Sequence, residues 1–249
     1  MTESFYDALA PYYHLIYPDW EASSQRQAHA LVKLLGEFGI HPGDRILDAA
    51  CGIGTQALGL AAAGYDVSGS DVSPGAIGRL GREAASRLLS VHTRVADLRS
   101  LSESFADPFA AVLACDNAIP HLLTDAEIAA AFGQCRRCLR PGGVLIVSVR
   151  DYAAIERRSP DVRPYGSHLE GERRYTAEQV WEWDGDWYDL TLRLTEESLG
   201  EDPRSHSFRT RYYAVTIARL LELLAAEGFA GVERRDGAFF QPLVIGIAA

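Results

Sequence analysis

The sequence predicts an α/β protein with a doubly wound, mostly parallel seven-stranded sheet and an antiparallel β insertion after the fifth strand. Short apolar strands alternate with helical segments up to residue 150, and a glycine-rich turn follows the first strand. After Arg150 the strand–helix pattern ends, and polar and apolar residues alternate instead. Strands that alternate with helices are typical of βαβ units, whose parallel sheet is covered on both faces.

Composition and charge limit the classes of function. The chain has 249 residues, 47% of them hydrophobic, which is enough for one α/β domain with a sizeable insertion. A net charge of −10, without any run of five basic residues, argues against non-specific nucleic-acid binding. No apolar run approaches the roughly 20 residues of a membrane span, and the N-terminal stretch lacks the pattern of a secretory signal. We therefore expect a cytoplasmic protein without nucleic-acid or membrane partners.

The alternating region contains five strands. Two helical patterns, at 6–17 and 21–38, precede it. A further helix begins at Ser73–Pro74, because proline fits the first helical position, and another at Thr124, where TDAE forms a capping box. The strands lie, in order, within RILDAAC, YDVSGSD, VHTRVADL, FAAVLACD and GGVLIVSVRD.

The remaining chain adds a second β region and then returns to the sheet. The segment ERRYTAEQVWEWDGDWYDLTLRLTEES predicts a hairpin that turns at Asp184–Asp186, and SHSFRTRYYAV predicts a further strand. A helix at 217–228 and two strands, AGVERRD and PLVIGIA, complete the sheet. We predict four parts: an N-terminal helical cap (1–40), a Rossmann-like core (41–150), an antiparallel substrate or lid insertion (151–213) and a C-terminal helix with two core strands (214–249).

The CRRC segment from Cys135 to Cys138 has the spacing of a redox or zinc half-site. It lies near the end of the helix that begins at Thr124, and the chain has no second CxxC. None of the seven histidines follows another at i+3 or i+4. We therefore interpret these cysteines as ordinary thiols and predict no metal site.

The turn after the first strand predicts a nucleotide-like ligand. GIGTQA, from Gly52 to Ala57, satisfies the dinucleotide pattern G-x-G-x-x-G/A, and Asp71 lies near the spacing at which an acid binds ribose hydroxyls. The carboxylate of Asp48 favours one of two candidate ligands over the other. A dinucleotide would bring a pyrophosphate to this turn, where a carboxylate repels it. S-adenosylmethionine (SAM) has no phosphate and carries an ammonium and a sulfonium, which a carboxylate attracts by about 1–3 kcal/mol.

Two further acids at strand ends agree with a cationic ligand. Asp71 can bridge the two ribose hydroxyls, and Asp97 can accept a hydrogen bond from the adenine amino group. A row of three acids above one parallel sheet suits SAM better than an anionic dinucleotide.

Several segments resemble the motifs of class I SAM-dependent methyltransferases, in order and spacing. They are ILDAACGIGT, GSDVS, VADL, CDNAIPHLL and LRPGGVLIVSVRDY. Within that superfamily the chain is similar to the glycine/sarcosine N-methyltransferase branch. The tyrosine-rich opening FYDALAPYYHLIYPDWEASSQRQ, the DN-x-x-x-H pattern, VRDY and the QVWEWDGDWYDL hairpin carry this similarity.

The resemblance implies a role for each matching residue. Asp48, Gly52, Gly54 and Thr55 would line the methionine end, with Asp71 and Val72 on ribose and adenine, Asp97 and Leu98 on the adenine edge, Arg26 on the cofactor carboxylate, His121 touching the cofactor, and Ala49 and Asp116 completing the set. Two of these assignments have alternatives. Arg26 could be a solvated helix arginine, and His121 could be a hydrogen-bonded core histidine.

The resemblance also implies acceptor-side residues. Asn117 and Arg150, at the ends of strands four and five, would bind an amino-acid substrate, with Arg150 on its carboxylate. Burying a guanidinium without an anion is energetically costly. We therefore expect Arg150 to pair either with the carboxylate of a substrate or with Asp151. Tyr13 is the best candidate in a tyrosine stripe that could pack or form a lid over the pocket. No residue is assigned a catalytic role.

For two sets of aromatic residues the sequence does not decide between a packing role and a functional role. The stripe consists of Tyr6, Tyr12, Tyr13 and Tyr17. Trp181, Trp183 and Trp187 in the hairpin could form sheet core or a substrate cage.

The sequence thus predicts transfer of a methyl group from SAM to a small molecule, with S-adenosylhomocysteine (SAH) as product. The expected acceptor is the amine of an amino acid or related metabolite. Three alternatives stay open: an O- or C-methyltransferase of a larger metabolite, an NAD(P)-dependent oxidoreductase, and a non-catalytic SAM-binding protein. The sequence leaves open whether the protein is a monomer or a homo-oligomer.

Overall fold

A computed structural model describes residues 2–249 and contains six α-helices and eleven strands within that range. The helices are α1 (Thr2–Leu9), α2 (Trp20–Glu37), α3 (Ala57–Ala62), α4 (Pro74–Ser86), α5 (Asp125–Cys138) and α6 (Ile217–Ala226). The strands are β1 (Arg45–Asp48), β2 (Asp66–Asp71), β3 (Val91–Val95), β4 (Phe109–Ala114), β5 (Leu139–Ser148), β6 (Asp161–Glu170), β7 (Arg173–Asp184), β8 (Trp187–Glu197), β9 (Arg204–Tyr213), β10 (Phe229–Arg235) and β11 (Leu243–Ala248).

Seven of these strands form one sheet in the order β10-β11-β5-β4-β1-β2-β3. The pairs among β1 to β5 are parallel, whereas β11 runs antiparallel to β5 and to β10. The strand order reverses at β1, so the carboxyl ends of β1, β2 and β4 meet where such sheets bind their ligands. The predicted fold class is confirmed.

Both faces of this sheet are buried. Neighbouring residues of β1 belong to different hydrophobic clusters: Ile46 to the cluster that contains Leu31 of α2, and Leu47 to the cluster that contains Phe132 of α5. A strand that is buried on both faces has a continuous hydrophobic sequence, as FAAVLA in β4 does.

The helices begin where the sequence predicts caps. Ser73 accepts a hydrogen bond from the Ala76 N–H with Pro74 at the first helical position, and Thr124 accepts one from the Glu127 N–H. These side chains satisfy backbone donors that the first helical turn leaves free.

The N-terminal helical pattern at 6–17 is interrupted, which differs from the prediction. Helix α1 ends at Leu9, and a short 3₁₀ helix follows at Tyr13–Ile16. Pro11 explains the break, because it lacks an N–H and disfavours helical geometry in the residue before it.

The insertion is a second, antiparallel sheet in the order β6-β7-β8-β9. The predicted hairpin turns between Asp184 and Trp187, with Gly185 at φ 61°. The sequence analysis missed β6, which contains Pro164 and a register shift before Gly166. Proline is tolerated there because β6 is an edge strand, and this sheet packs into the same cluster as α5.

All four cysteines are buried free thiols, and burial raises the pKa of Cys135 and Cys138. Residues 2–249 include no group of three or more His, Cys, Asp or Glu side chains placed to hold a metal ion. Among the helices of the same range, none is both long and apolar enough to span a membrane.

Candidate functional site

The glycine turn between β1 and α3 has left-handed backbone at both glycines, with φ 52° at Gly52 and 102° at Gly54. A Cβ at Gly54 would lie 2.5 Å from Leu80 Cδ1, so packing against α4 requires glycine. A Cβ at Gly52 would meet nothing within 4 Å, and this residue lines a cavity. The two glycines therefore serve different purposes, one in packing and one in exposing backbone to a ligand.

This first cavity has a volume of about 360 Å³ and lies over the carboxyl ends of β1, β2 and β4. It contains nine of the twelve predicted cofactor residues: Ala49, Gly52, Thr55, Asp71, Val72, Asp97, Leu98, Asp116 and His121. The predicted acceptor-side residue Tyr13 also lines it. The other three predicted cofactor residues, Arg26, Asp48 and Gly54, lie outside its lining.

Asp71 holds the glycine turn from the end of β2. Its Oδ2 accepts a hydrogen bond from the Gly52 N–H at 3.0 Å, and its Oδ1 accepts one from the Ser73 N–H at 2.9 Å. Burial raises its carboxyl pKa, while these two backbone donors lower it. The remaining lone pairs are free to accept ligand hydroxyls at the cavity wall.

Asp97 has a partner that the sequence analysis missed. The Arg99 side chain donates to both of its carboxylate oxygens, at 2.6 to 3.2 Å, and contacts Glu127 at 2.5 Å. Hydrogen bonds from Arg99 lower the pKa of the Asp97 carboxyl. Arg99 and Glu127 themselves line the first cavity. The role of Asp97 on adenine stays a prediction.

Asp48 does not face the cavity mouth as predicted. It is completely buried beneath the glycine turn, and neither carboxylate oxygen has a hydrogen-bond partner within residues 2–249. Burial raises the pKa of this carboxyl to about 7, and the Asp71 charge adds to the shift. Its electrostatic effect on a cation in the cavity would therefore act through the turn rather than by contact.

We expect Asp48→Asn to reduce the pH dependence of stability. A carboxyl whose pKa is raised on folding is protonated in the native protein and ionised in the unfolded chain between the two pKa values. The native state then binds more protons, so stability falls as pH rises from about 4 to about 7. Urea unfolding should show a loss of about 2–3 kcal/mol between pH 5 and pH 8 in the wild type that the variant lacks. Equal slopes in both proteins would contradict the assigned pKa.

Some tyrosines of the N-terminal stripe line the first cavity, and others pack against the rest of the protein. Tyr6 and Tyr13 line the first cavity, whereas the Tyr12 ring centre lies 4.6 Å from that of His206 in β9. The Tyr6 hydroxyl lies 2.8 Å from His121 Nε2, and the His121 ring lies 4.0 Å from Tyr212. Burial lowers the pKa of His121 to about 3, so this imidazole is neutral. His121 is thus both packed and at the cavity wall.

A second cavity of about 380 Å³ shares Asp116 with the first. It is lined by Tyr17, Ser23, Arg26, Gln27, Ala30, Asp116, Tyr165 and the 237–240 segment of Gly, Ala and two Phe residues. Arg26 is exposed and lines this cavity rather than the first. Within residues 2–249 its guanidinium hydrogen-bonds only Ser23 Oγ, at 3.4 Å. Because the two cavities adjoin, Arg26 stays a candidate to bind the carboxylate of a cofactor that extends from the first cavity into the second.

The amide of Asn117 is engaged by protein partners, and its role on a substrate stays a prediction. Its amide donates to the Tyr152 hydroxyl at 2.8 Å, and its Oδ1 accepts the Arg150 N–H at 3.1 Å. The side chain is buried and lines neither cavity. Its contacts instead hold together the chain segments that follow β4 and β5.

Arg150, like Asn117, lines neither cavity. Its Nη1 donates to the Tyr188 hydroxyl at 3.3 Å, and its guanidinium carbon is 5.2 Å from the Trp181 ring centre. Asp151, the alternative partner, pairs with Arg234 at 2.8 Å. No carboxylate within residues 2–249 lies within 4.0 Å of the Arg150 guanidinium.

The hairpin tryptophans line neither cavity. Trp181 stacks on Tyr188 at 4.4 Å, and Trp187 Nε1 donates to the Leu123 carbonyl at 2.9 Å. These contacts support the interpretation as sheet core.

Comparisons with known proteins agree with the fold. Residues 46–143 match the family model described as "Methyltransferase domain". The glycine/sarcosine N-methyltransferase of Parasynechococcus marenigrum (strain WH8102) is 31% identical over 145 residues, which cover 58% of this chain and 50% of that relative. The chain spans about half the length of the curated relatives it matches.

Solved methyltransferase structures superpose on most of the chain. The SAM-bound amino pentose methyltransferase CalS10 from Micromonospora echinaspora has a TM-score of 0.78 at 20% identity and covers 91% of this chain and 92% of its own. The sugar N-methyltransferase KedS8 from Streptoalloteichus sp. ATCC 53650 has a TM-score of 0.71 at 20% identity, covering 92% of this chain and 87% of its own. At these identities the likeness shows the fold alone.

Residues 46–143 therefore match a methyltransferase domain, and the predicted resemblance to class I SAM-dependent methyltransferases is confirmed. SAM is the cofactor that defines this class, so the cofactor prediction is confirmed with it. Within the class, the sequence is similar to glycine/sarcosine N-methyltransferases.

Proposed function

We propose that this chain transfers a methyl group from SAM to the amine of an amino acid or a related small metabolite. The matched methyltransferase domain and the named curated relatives support the proposal. We further propose that it acts in the cytoplasm without nucleic acid, which the net charge of −10 supports.

The residues around the first cavity fit SAM. Asp71 presents free lone pairs for ribose hydroxyls, Gly52 exposes backbone to the cavity, and the orphaned Asp48 carboxylate lies beneath the turn. SAM supplies a methyl group on a sulfonium, so the protein has to align the acceptor and exclude water. The neutral His121 lines the cavity together with Tyr6 and Tyr13, and these side chains would exclude water from the bound cofactor.

The observation that carries the amino-acid acceptor is the unpaired guanidinium of Arg150. Burial raises the pKa of the Asp116 and Tyr165 side chains, both of which line the second cavity, and the Arg150 charge opposes that rise. A largely buried cation without an anionic partner is costly, and a substrate carboxylate would offset that cost.

We expect Arg150→Leu to raise KM for a carboxylate-bearing amine by tenfold or more, because loss of a charged hydrogen bond costs about 1.5–3 kcal/mol. Steady-state assays of SAH release would measure the change. Arg163→Leu is a matched control. Its guanidinium carbon lies 4.0 Å from the same Trp181 ring, but it already pairs with Asp161. An unchanged KM for Arg150→Leu, or an equal rise for both variants, would remove the amino-acid proposal.

A larger acceptor is the second candidate. The second cavity of about 380 Å³ could hold more than an amino acid such as glycine, and the structural neighbours include an amino pentose and a sugar methyltransferase. A screen of amino acids, amino sugars and phenols for SAH release would separate the candidates. Turnover of phenols alone would replace the N-methyltransferase proposal with O-methylation, and SAH binding without any turnover would favour a non-catalytic protein.

A further inference from the structure

We propose that the second cavity is the acceptor site and that Asp116 binds the acceptor amine there, rather than the cofactor. This inference rests on the proposed methyltransferase function and names the residue that receives its substrate. Among the residues described, Asp116 is the only one that lines both cavities. An amine on Asp116 would therefore stand between the cofactor cavity and the acceptor body.

The backbone at Asp116 is held in an uncommon conformation that aims this side chain. Asp116 and Asn117 are consecutive non-glycine residues in the left-handed region, at φ 57° and 65°. The Asp116 N–H donates to Ser148 Oγ at 2.7 Å, and Ser148 Oγ in turn donates to Gln241 Oε1 at 2.9 Å. Such strain persists only where the surroundings enforce it, and it concentrates at functional sites.

The partners of Asp116 lie on the acceptor side. The Tyr17 hydroxyl, at the end of the N-terminal 3₁₀ segment, donates to Asp116 Oδ2 at 2.9 Å. Tyr13 and the charge of Arg150 also favour the ionised carboxylate, which opposes the effect of burial on its pKa. Tyr17 lines the second cavity and not the first, so the carboxylate is fixed by the wall of the acceptor site.

The second cavity offers a surface for an apolar or ring-bearing body next to this carboxylate. Tyr165 reaches it from the edge strand β6, where a Cβ at Gly166 would lie 3.0 Å from the Ile16 carbonyl oxygen. Phe239 and Phe240 also line this cavity, and Phe240 is 58% exposed. Aromatic walls and one anionic group suit an organic amine.

The negative charge of Asp116 would act in the methyl-transfer step. The ammonium releases one proton to bulk water before attack, and the neutral amine donates an N–H to Asp116. Its nitrogen lone pair then forms the bond to the methyl carbon as the carbon–sulfur bond breaks, and that electron pair stays on sulfur. The positive charge passes from sulfur to nitrogen, next to the carboxylate. Asp116 therefore stabilises charge that develops on nitrogen in the transition state.

We expect Asp116→Asn to leave SAH affinity within about threefold of wild type and to weaken amine binding at least tenfold. Calorimetry on SAH-saturated protein, with glycine, benzylamine and glucosamine as probes, measures both. For any acceptor that turns over, kcat should fall as well as the affinity. Asp125→Asn removes an equivalent charge from a residue that pairs with Arg219 and lines neither cavity, so it should behave as wild type.

The outcomes separate this inference from the proposed function. Failure of the wild type to bind SAH would contradict the proposed function itself. SAH binding that Asp116→Asn weakens tenfold, with amine affinity unchanged, would return Asp116 to the cofactor and overturn the inference. Wild-type protein that binds SAH but none of the three amines would overturn it as well.

Discussion

Gly54→Ala should destabilise the protein by about 2–5 kcal/mol, because it combines backbone strain with overpacking. The backbone at Gly54 has φ 102°, which L-residues rarely adopt. The added Cβ would lie 2.5 Å from Leu80 Cδ1 and 3.0 Å from Leu58 Cγ, so these buried side chains would have to shift within the packed core. Urea unfolding followed by circular dichroism would measure the loss of free energy of unfolding.

Gly52→Ala is the matched control for this effect. Its φ of 52° imposes strain of about 1–2 kcal/mol, but the added Cβ meets no protein atom within 4 Å. The methyl group would instead enter the first cavity, so SAH affinity should fall at least tenfold, with a smaller loss of stability than in Gly54→Ala. The opposite pattern, with Gly54→Ala harmless to stability and Gly52→Ala harmless to binding, would contradict the division of roles in the turn.

Asp71→Asn should weaken SAH binding about 100-fold or more. Loss of charge-assisted hydrogen bonds to two ribose hydroxyls would cost about 1.5–3 kcal/mol each. The substituted amide also disturbs the turn, because its NH2 group would face the N–H of Gly52 or of Ser73, which the carboxylate accepts. Calorimetric titration with SAH would measure the affinity.

Asp66→Asn controls for the loss of one acid from β2. Asp66 lies at the opposite end of that strand and contacts Arg45 at 3.6 Å, outside both cavities. SAH affinity of this variant should equal that of the wild type. Wild-type affinity in Asp71→Asn would show that the ribose lies elsewhere.

The first cavity was predictable from sequence because its residues follow strands. In a parallel sheet the residues after each strand meet at one edge, so Gly52, Asp71, Asp97 and Asp116 could be grouped without coordinates. The capped starts of α4 and α5 were equally predictable, because the signal lies within four residues. The direction in which a side chain at this edge points was not predictable. Asp48 belongs to the same edge but points beneath the turn, which depends on the twist of β1 and the packing of α3.

The second cavity was not predictable, because it is assembled from distant segments. Tyr17, Tyr165 and the loop at 237–240 meet only in the folded chain. Edge strand β6 carries Pro164 and Gly166, which in a single sequence indicate a loop rather than a strand. The amide of Asn117 likewise looked available for a substrate, and only the tertiary contact with Tyr152 shows that it is satisfied.

The central claim is that the glycine turn and its acids receive an adenosyl ligand without phosphates. Calorimetric titration of the purified protein with SAH and, separately, with NADH tests it most directly. We expect SAH to bind with micromolar affinity or better and NADH to give no heat of binding, because its pyrophosphate would lie against the turn above Asp48 and beside Asp71. Micromolar binding of NADH together with no binding of SAH would contradict the account.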